Sequence, residues 1–492
     1  MKYISVSEAA TKLNLSERSV RNYCASKRIK GAIQKGRTWL IPENAVKPDR
    51  SNSKDNVYDY EMIKDAEGLV EFLNTSPVNY WAINNSEDKL IKHGYVRLEE
   101  NKPFSLHKGD KVFFTRNGTS IIALNIGEEL NIPSFHVIAS HSDSPCFKIK
   151  PACDGKTDIY NKINIEPYGG LIASTWLDRP LSIAGRVLVK TDSGLESKII
   201  NIDDNILMIP NLCIHFNRDI NSGYRYDYAT DLQTFIGQEL EGEPLKELLC
   251  KHLDIHPNDL INFDLYLYNR MPAYIWGNKK EYISSPRLDD LECVYTSLEA
   301  FIKSNNKSSI NVFYVSDNEE VGSSSRQGAD SDFLDTILNR VCHSLNIDYQ
   351  VALANSFLIS ADNAHAVHPN KPSVTDANNK AYMNKGIAIK FNASQSYTSD
   401  SISSAIFQEI CEQSDVPYQF FANRSDLRGG STLGNILITH TSLLAVDIGL
   451  PQLAMHSSFE TAGSNDVYYA IKAFSKFYSV NIIIDGNKYQ IK

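Results

Sequence analysis

The stretch Ile310-Asn311-Val312-Phe313-Tyr314-Val315-Ser316-Asp317-Asn318-Glu319-Glu320-Val321-Gly322-Ser323 joins an apolar, strand-like run to a polar segment with two adjacent carboxylates. The apolar run reads as a buried strand of an α/β body. On an extended segment neighbouring side chains point opposite ways, so Glu319 and Glu320 would face different partners. One could hold a metal ion while the other faces a water molecule, the layout needed for metal-assisted activation of water. A Glu-Glu pair is also an ordinary solvated surface feature. Four other segments weigh on the choice.

His141-Ser142-Asp143-Ser144-Pro145 follows the strand-like residues 135–139. His141 and Asp143 share a face if that strand continues. Imidazole is a common zinc ligand, and a nearby carboxylate can orient it. Pro286-Arg287-Leu288-Asp289-Asp290 brings a second carboxylate pair, with Asp290 also placed to cap the apolar pattern 291–298. Asp362 and His365 follow the strand candidate 356–359, and ligand residues of open α/β sheets lie past the carboxyl ends of strands. His456, in Gln452-Leu453-Ala454-Met455-His456-Ser457, follows another apolar run; a lone histidine there is also an ordinary core residue. Carboxylates with imidazoles suit zinc, cobalt or manganese.

Bulk properties fit this picture. The chain has 492 residues, room for two or three domains. Apolar residues make up 42% and charged residues 22%, as in soluble globular proteins. The net charge of −9 argues against wholesale nucleic-acid binding. Its distribution is uneven: residues 1–50 hold 11 Lys/Arg against 4 Asp/Glu, net +7, and the remainder holds 39 against 55, net −16. A basic head on an acidic body suggests separate tasks. The eight cysteines form no Cys-x-x-Cys pair and read as reduced, mostly buried thiols of a cytoplasmic protein. No export signal or membrane span is legible.

Residues 1–48 read as a small helical unit. Ser7 is placed to cap a first helix carrying Ala9, Ala10 and Leu13, and Ser16 a second with Val20 and Tyr23 inside and Arg18, Arg21 and Asn22 outside. Asn14-Leu15 joins the two, and Lys27-Arg28-Ile29-Lys30 with residues 35–42 reads as a β-wing. This resembles the helix-turn-helix of excisionase and MerR-type domains, whose second helix enters the major groove. The resemblance implies DNA contact, with a protein-docking role as the alternative. Residues 49–59 read as a polar linker. Residues 152–270 carry many short strand candidates and read as a β-rich domain inserted between 60–151 and 271–492.

From residue 60 onward the segments, in their order, resemble the M18 metallo-aminopeptidases, the aspartyl aminopeptidase family. The motifs are His141-Ser-Asp-Ser-Pro, Tyr168-Gly-Gly, Ser174-Thr-Trp-Leu-Asp-Arg, Arg287-Leu-Asp, Asp317-Asn-Glu-Glu-Val-Gly-Ser, Ser360-Ala-Asp, Ala364-His-Ala-Val-His-Pro-Asn and Gln452-Leu-Ala-Met-His-Ser. The resemblance implies a central mixed sheet flanked by helices, with residues 152–270 as a dimerisation domain. It implies an aminopeptidase using two divalent ions per subunit, zinc with cobalt or manganese as alternatives, and a bridging water. Asp289 would bridge the ions, with His141 and Asp362 completing one site and Glu320 and His456 the other. Glu319 would be the general base, and Asp143 would orient the centre. His215 would reach a neighbouring subunit's active site, within a dodecamer built from dimers. Lys390 matches a family lysine near the substrate side-chain pocket, and with His365 it implies substrate contact and a lean towards N-terminal Asp or Glu. A surface-strand lysine is the plainer reading of Lys390. Two features depart from the family: Asp290 where relatives often have Asn, and the basic head. A DNA-binding regulator on an inert peptidase scaffold, and a dinuclear deacylase, are the competing readings.

Overall fold

Strand Ile310–Ser316 is buried along its whole length, and so are Phe135–His141 and Phe357–Ala361. Such continuous burial is what a central strand covered on both faces requires. These strands lie in a nine-stranded mixed sheet. Phe135–His141 pairs in parallel with Ile310–Ser316 on one side and Phe357–Ala361 on the other; Leu444–Gly449 is parallel to the latter. Four strands therefore end at the same edge. Ser120–Ile126 and Ile387–Phe391 flank them antiparallel.

Alternating side chains split the core into two layers. Ile138, Phe313 and Val315 pack on one face with Leu291, Leu298 and Phe301 of helix Leu288–Lys303 and Phe474 of helix Ser464–Ser479. Val137, Val312 and Tyr314 pack on the other with Phe333 and Ile337 of helix Phe333–Leu345 and Leu437 of helix Leu433–Thr441. Each fully buried Leu, Ile or Phe contributes roughly 1.5–3 kcal/mol relative to exposure. This is the mixed sheet flanked by helices expected from the sequence.

The structure is a computed structural model. It describes the chain except residues 1, 14, 26–28, 30, 36–37, 47–52 and 428, and except the side chains of 18, 22, 25 and 53–59. Two units emerge, Met1–Glu61 and Met62–Lys492. In the first, helices Val6–Leu13 and Glu17–Ala25 pack with a three-stranded sheet of Tyr3–Ile4, Ile33–Lys35 and Thr38–Pro42. Val6, Ala9, Leu13, Val20, Cys24 and Ile41 form its core. The cap of the first helix is Ser5, not Ser7: Ser5 Oγ accepts the Glu8 N–H (3.3 Å) while Glu8 Oε2 accepts the Ser5 N–H (2.7 Å). Ser16 does cap the second, accepting the Ser19 N–H at 3.1 Å. Asn14, Lys27, Arg28, Lys30, Gly36 and Arg37 lie outside the described residues.

Two expected boundaries differ. Helix Ser53–Thr75 includes residues 53–59, expected as linker; residues 49–52 lie outside the described residues. The β-rich region is a six-stranded antiparallel sheet that begins at Cys146–Thr157 and ends at Leu260–Asn269, so position 152 falls inside its first strand. The long strand hides the boundary because its first half pairs within the same sheet. A five-stranded sheet joins Tyr274–Trp276, Tyr282–Ser285, Glu460–Gly463, Pro451–Leu453 and Ala364–His365 beside the centre described next.

Candidate metal centre

The shared strand edge assembles the polar groups. His141 is the last residue of its strand, and Ser316, opposite it, ends the strand that precedes Glu319 and Glu320. Asp362 follows Phe357–Ala361 by one residue. Asp289 stands at the start of helix Leu288–Lys303, where its backbone and that of Asp290 are not helical. His456 lies in the turn between Pro451–Leu453 and Glu460–Gly463.

Asp289 is the hinge of the geometry. Its Oδ1 lies 3.5 Å from His141 Nε2, and its Oδ2 lies 3.6 Å from His456 Nε2. His141 Nε2 is also 3.8 Å from Asp362 Oδ1, and His456 Nε2 is 3.3 Å from Glu320 Oε2. The two oxygens of one carboxylate thus face two donor sets. Ligands 2.0–2.2 Å from a tetrahedral zinc would stand about 3.4 Å apart, and these spacings match. His141, Asp289 and Glu320 offer atoms all within 4.8 Å of one another, as do His141, Asp290 and Asp362. Asp290 is less free than the others, because its Oδ2 accepts the His141 N–H at 3.1 Å. That contact replaces the helix-capping role expected for it.

The outward ring nitrogens are tied down. His141 Nδ1 is 3.0 Å from the Asp143 carbonyl, and His456 Nδ1 is 2.9 Å from the Gly170 carbonyl. Both are N–H donor positions, which turns both Nε2 lone pairs to the centre. Asp143 is buried and takes three donors: Tyr168 O–H to Oδ2 (2.7 Å), Glu319 N–H to Oδ1 (3.1 Å) and Glu320 N–H to Oδ2 (3.2 Å). The His141-x-Asp143 pair therefore does not act through a shared strand face, since the strand stops at His141. Nor is the Glu pair extended: Glu319–Val321 is a turn of 3-10 helix between left-handed Asn318 and Gly322. The tight turn, anchored by Asp143, separates the two carboxylates instead of strand alternation.

Burial and mutual crowding of the carboxylates favour a cation among them. Burial first, then Asp362, Asp143 and Asp289, push the Glu319 carboxyl up to about 8, against the pull of His141. Burial first, with Asp289 next, raises Glu320 well above its usual range. For His141 burial acts downward, but Asp143, Asp289 and Asp362 outweigh it and raise the imidazole well above its usual value. Asp289 Oδ1, buried, has no hydrogen-bond partner among the described residues. Crowded anionic oxygens with a free buried lone pair fit divalent ions of the zinc, cobalt or manganese class.

Lys390 is 3% exposed, so it is not a surface-strand lysine. Its Nζ lies 3.8 Å from Asp362 Oδ2 and 5.5 Å from the Tyr397 ring centroid. Burial alone would lower its pKa, but Asp362 and Tyr397 hold it above the usual range. Gly449 permits this approach: a Cβ there would meet Asp362 O at 2.1 Å and Lys390 Cε at 2.8 Å. His365 is exposed and packs edge-on against Phe421, with ring centroids 6.2 Å apart. His215 stands apart on the exposed stretch 210–219, with no hydrogen bond or ion pair to the cluster among the described residues. The sequence reading missed Glu460, a buried carboxylate that accepts the Asp289 and His456 N–H groups. Its spacing four residues beyond His456 was the available signal.

Residues 72–478 match the family described as Aminopeptidase I zinc metalloprotease (M18), and residues 3–47 match a helix-turn-helix domain. A probable M18 family aminopeptidase 2 of Clostridium novyi (strain NT) is 44% identical over 429 residues, spanning 85% of this chain and 99% of that protein. Among solved structures, a chain of the cryo-EM structure of the Ape4 and Nbr1 complex aligns with TM-score 0.83 and 34% identity, covering 85% of this chain and 86% of that one. The S. cerevisiae mApe1 dodecamer aligns with TM-score 0.74 and 26% identity over 86% of this chain and 97% of that one.

Proposed function

The chain belongs to the M18 family of zinc metallo-aminopeptidases, and from that premise we propose that its body removes the N-terminal residue of peptides at a dinuclear centre. The observation that carries the reading is the split of the Asp289 carboxylate, Oδ1 towards His141 and Oδ2 towards His456. His141, Asp362 and Asp289 would hold one ion, and Glu320, His456 and Asp289 the other. When bound, two such ions supply Lewis acidity to a peptide carbonyl and to the water that attacks it.

The protein's own groups do the rest. Glu319 takes a proton from the attacking water and passes it to the leaving amine as the C–N bond breaks. Asp143 holds the Glu319 and Glu320 backbones in one turn, so base and ligand keep a fixed separation. Tyr168 keeps Asp143 in place from behind. Lys390 and His365 lie on the side of Asp362 and would meet the substrate's first side chain. The ammonium of Lys390 favours Asp or Glu there, though it shares that charge with Asp362.

His215 completes the centre of a neighbouring copy in this proposal, within a dodecamer of dimers. Its exposed loop also carries Leu212, Ile214 and Phe216, an apolar set suited to burial by a partner. The head, net +7 over residues 1–50, contacts DNA or a protein partner. All eight cysteines are free, which supports a reduced, cytoplasmic setting. No helix among the described residues is long and apolar enough to cross a membrane. A screen of aminoacyl substrates, Asp and Glu included, tests the reading with zinc, cobalt or manganese restored to chelated protein. Metal-dependent release of free N-terminal residues is expected, and cleavage of N-acylated peptides at equal rates would replace the aminopeptidase with a deacylase.

A further inference from the structure

We infer that Glu460 is a positioning residue that holds Asp289 and His456 in mutual register, and so sets the affinity of the ion those two would share with Glu320. The inference rests on the metal-centre reading above. Glu460 is 1% exposed and opens strand Glu460–Gly463, where it pairs with Ser285. Three residues separate Ser285 from Asp289, and three separate His456 from Glu460. The carboxylate therefore sits where the two ligand-bearing segments leave one sheet.

Both of its oxygens are committed. Oε2 accepts the Asp289 N–H at 3.1 Å, and Oε1 accepts the His456 N–H at 2.7 Å. No lysine, arginine or histidine forms an ion pair with it among the described residues, so backbone N–H groups are its partners. His456 needs such an anchor. Its φ of +69° is left-handed, a region that residues with a side chain seldom occupy. The short bond to Glu460 holds that conformation, while Nδ1 on Gly170 sets the ring. With both held, Nε2 of His456 and Oδ2 of Asp289 stay 3.6 Å apart. His141 and Asp362 have no hydrogen bond to Glu460, so the ion they would hold depends on it less.

A glutamine has the same size but only one accepting oxygen, and its amide would turn an N–H towards a backbone N–H. Glu460→Gln thus cuts one of the two ties without opening a cavity. Glu460→Asp keeps two acceptors on a shorter arm. The experiment is calorimetric zinc titration of the full-length chain after chelation, for the parent and both variants, with melting temperatures of the metal-free proteins. The parent is expected to bind two ions. Glu460→Gln is expected to weaken the ion shared with His456 and Glu320 at least tenfold and the other, which also uses Asp289, by much less, with a melting temperature close to the parent's. Glu460→Asp is expected to recover part of that affinity, and it carries the comparison if the glutamine variant does not fold. Two parental affinities in Glu460→Gln would overturn the inference, as would equal weakening of both ions. A parent that binds no pair of ions would instead overturn the centre itself.

Discussion

Asp143 ties the cluster together without a place among the proposed ligands. It holds one ligand imidazole from behind and fixes the turn that carries Glu319 and Glu320. With Glu319 proposed as the base and not as a ligand, Glu319→Gln is expected to lower turnover by roughly 10²–10⁴-fold while zinc content, read by elemental analysis, stays parental. Loss of metal in that variant would reassign Glu319 as a ligand. A second residue-scale outcome concerns His136, fully buried in the sheet with neither ring nitrogen hydrogen-bonded among the described residues and its ring 5.3 Å from Phe477. Burial pushes its pKa down to about 4. The unfolded chain takes up a proton near pH 6.5 that the folded chain refuses until about pH 4. Stability from this group is therefore complete above pH 6.5 and drains as pH falls to about 4, by about 3 kcal/mol in all. His136→Phe is expected to flatten denaturation midpoints across that window, and an unchanged acid slope would contradict the assignment. The side chains that cluster at the candidate centre were legible because imidazole and carboxylate stand out in strand-end motifs. Glu460 was not, since its one trace in the chain, a spacing of four residues from His456, does not reveal that its carboxylate serves the backbone N–H groups of Asp289 and His456.

Strands were readable from their apolar runs, but their ends were not. The run at 135–139 continues through Ser140 and His141 because both faces stay covered, and the Glu319–Glu320 segment leaves extended geometry because left-handed Asn318 and Gly322 bracket a turn. The cap at Ser5 in place of Ser7 has the same origin: the helix begins at Val6, which takes Ser7 inside it, and the reciprocal bond with Glu8 selects Ser5. The β-rich insert was visible as texture, whereas its start at Cys146 depends on cross-strand pairing that a linear reading does not contain. Close packing between elements was equally hidden. Gly449, at the end of Leu444–Gly449, lets the Asp362 carbonyl and Lys390 approach where a methyl group would overlap both. Gly449→Ala is expected to destabilise the body by about 1–3 kcal/mol, measured by denaturant unfolding, and to weaken zinc binding through Asp362. Parental stability there would mean that the strand end adjusts freely.

At the scale of the molecule, charge divides the chain into a basic head, residues 1–50, and an acidic remainder, and the head falls within the first of two compact units, Met1–Glu61. If the head contacts DNA, the full chain is expected to retain duplex on a filter at ~50 mM salt and to release it steeply by ~200 mM. No retention at the lower salt would leave protein docking as its role. If His215 serves a neighbouring centre, His215→Ala and Glu319→Gln are each expected to be nearly inactive alone. Co-assembled in equal amounts, they regain about a quarter of parental activity, because a random mixture pairs an intact Glu319 with an intact His215 at that frequency. No recovery on mixing would confine each centre to one chain. The central claim is that side chains from five distant segments assemble two ion sites that drive release of N-terminal residues. It is tested most directly by titrating zinc into chelated full-length protein while hydrolysis of a free-amine peptide is followed. Activity absent from the stripped protein and complete at two equivalents per subunit is the predicted result; undiminished hydrolysis after stripping, or none after loading, would contradict it.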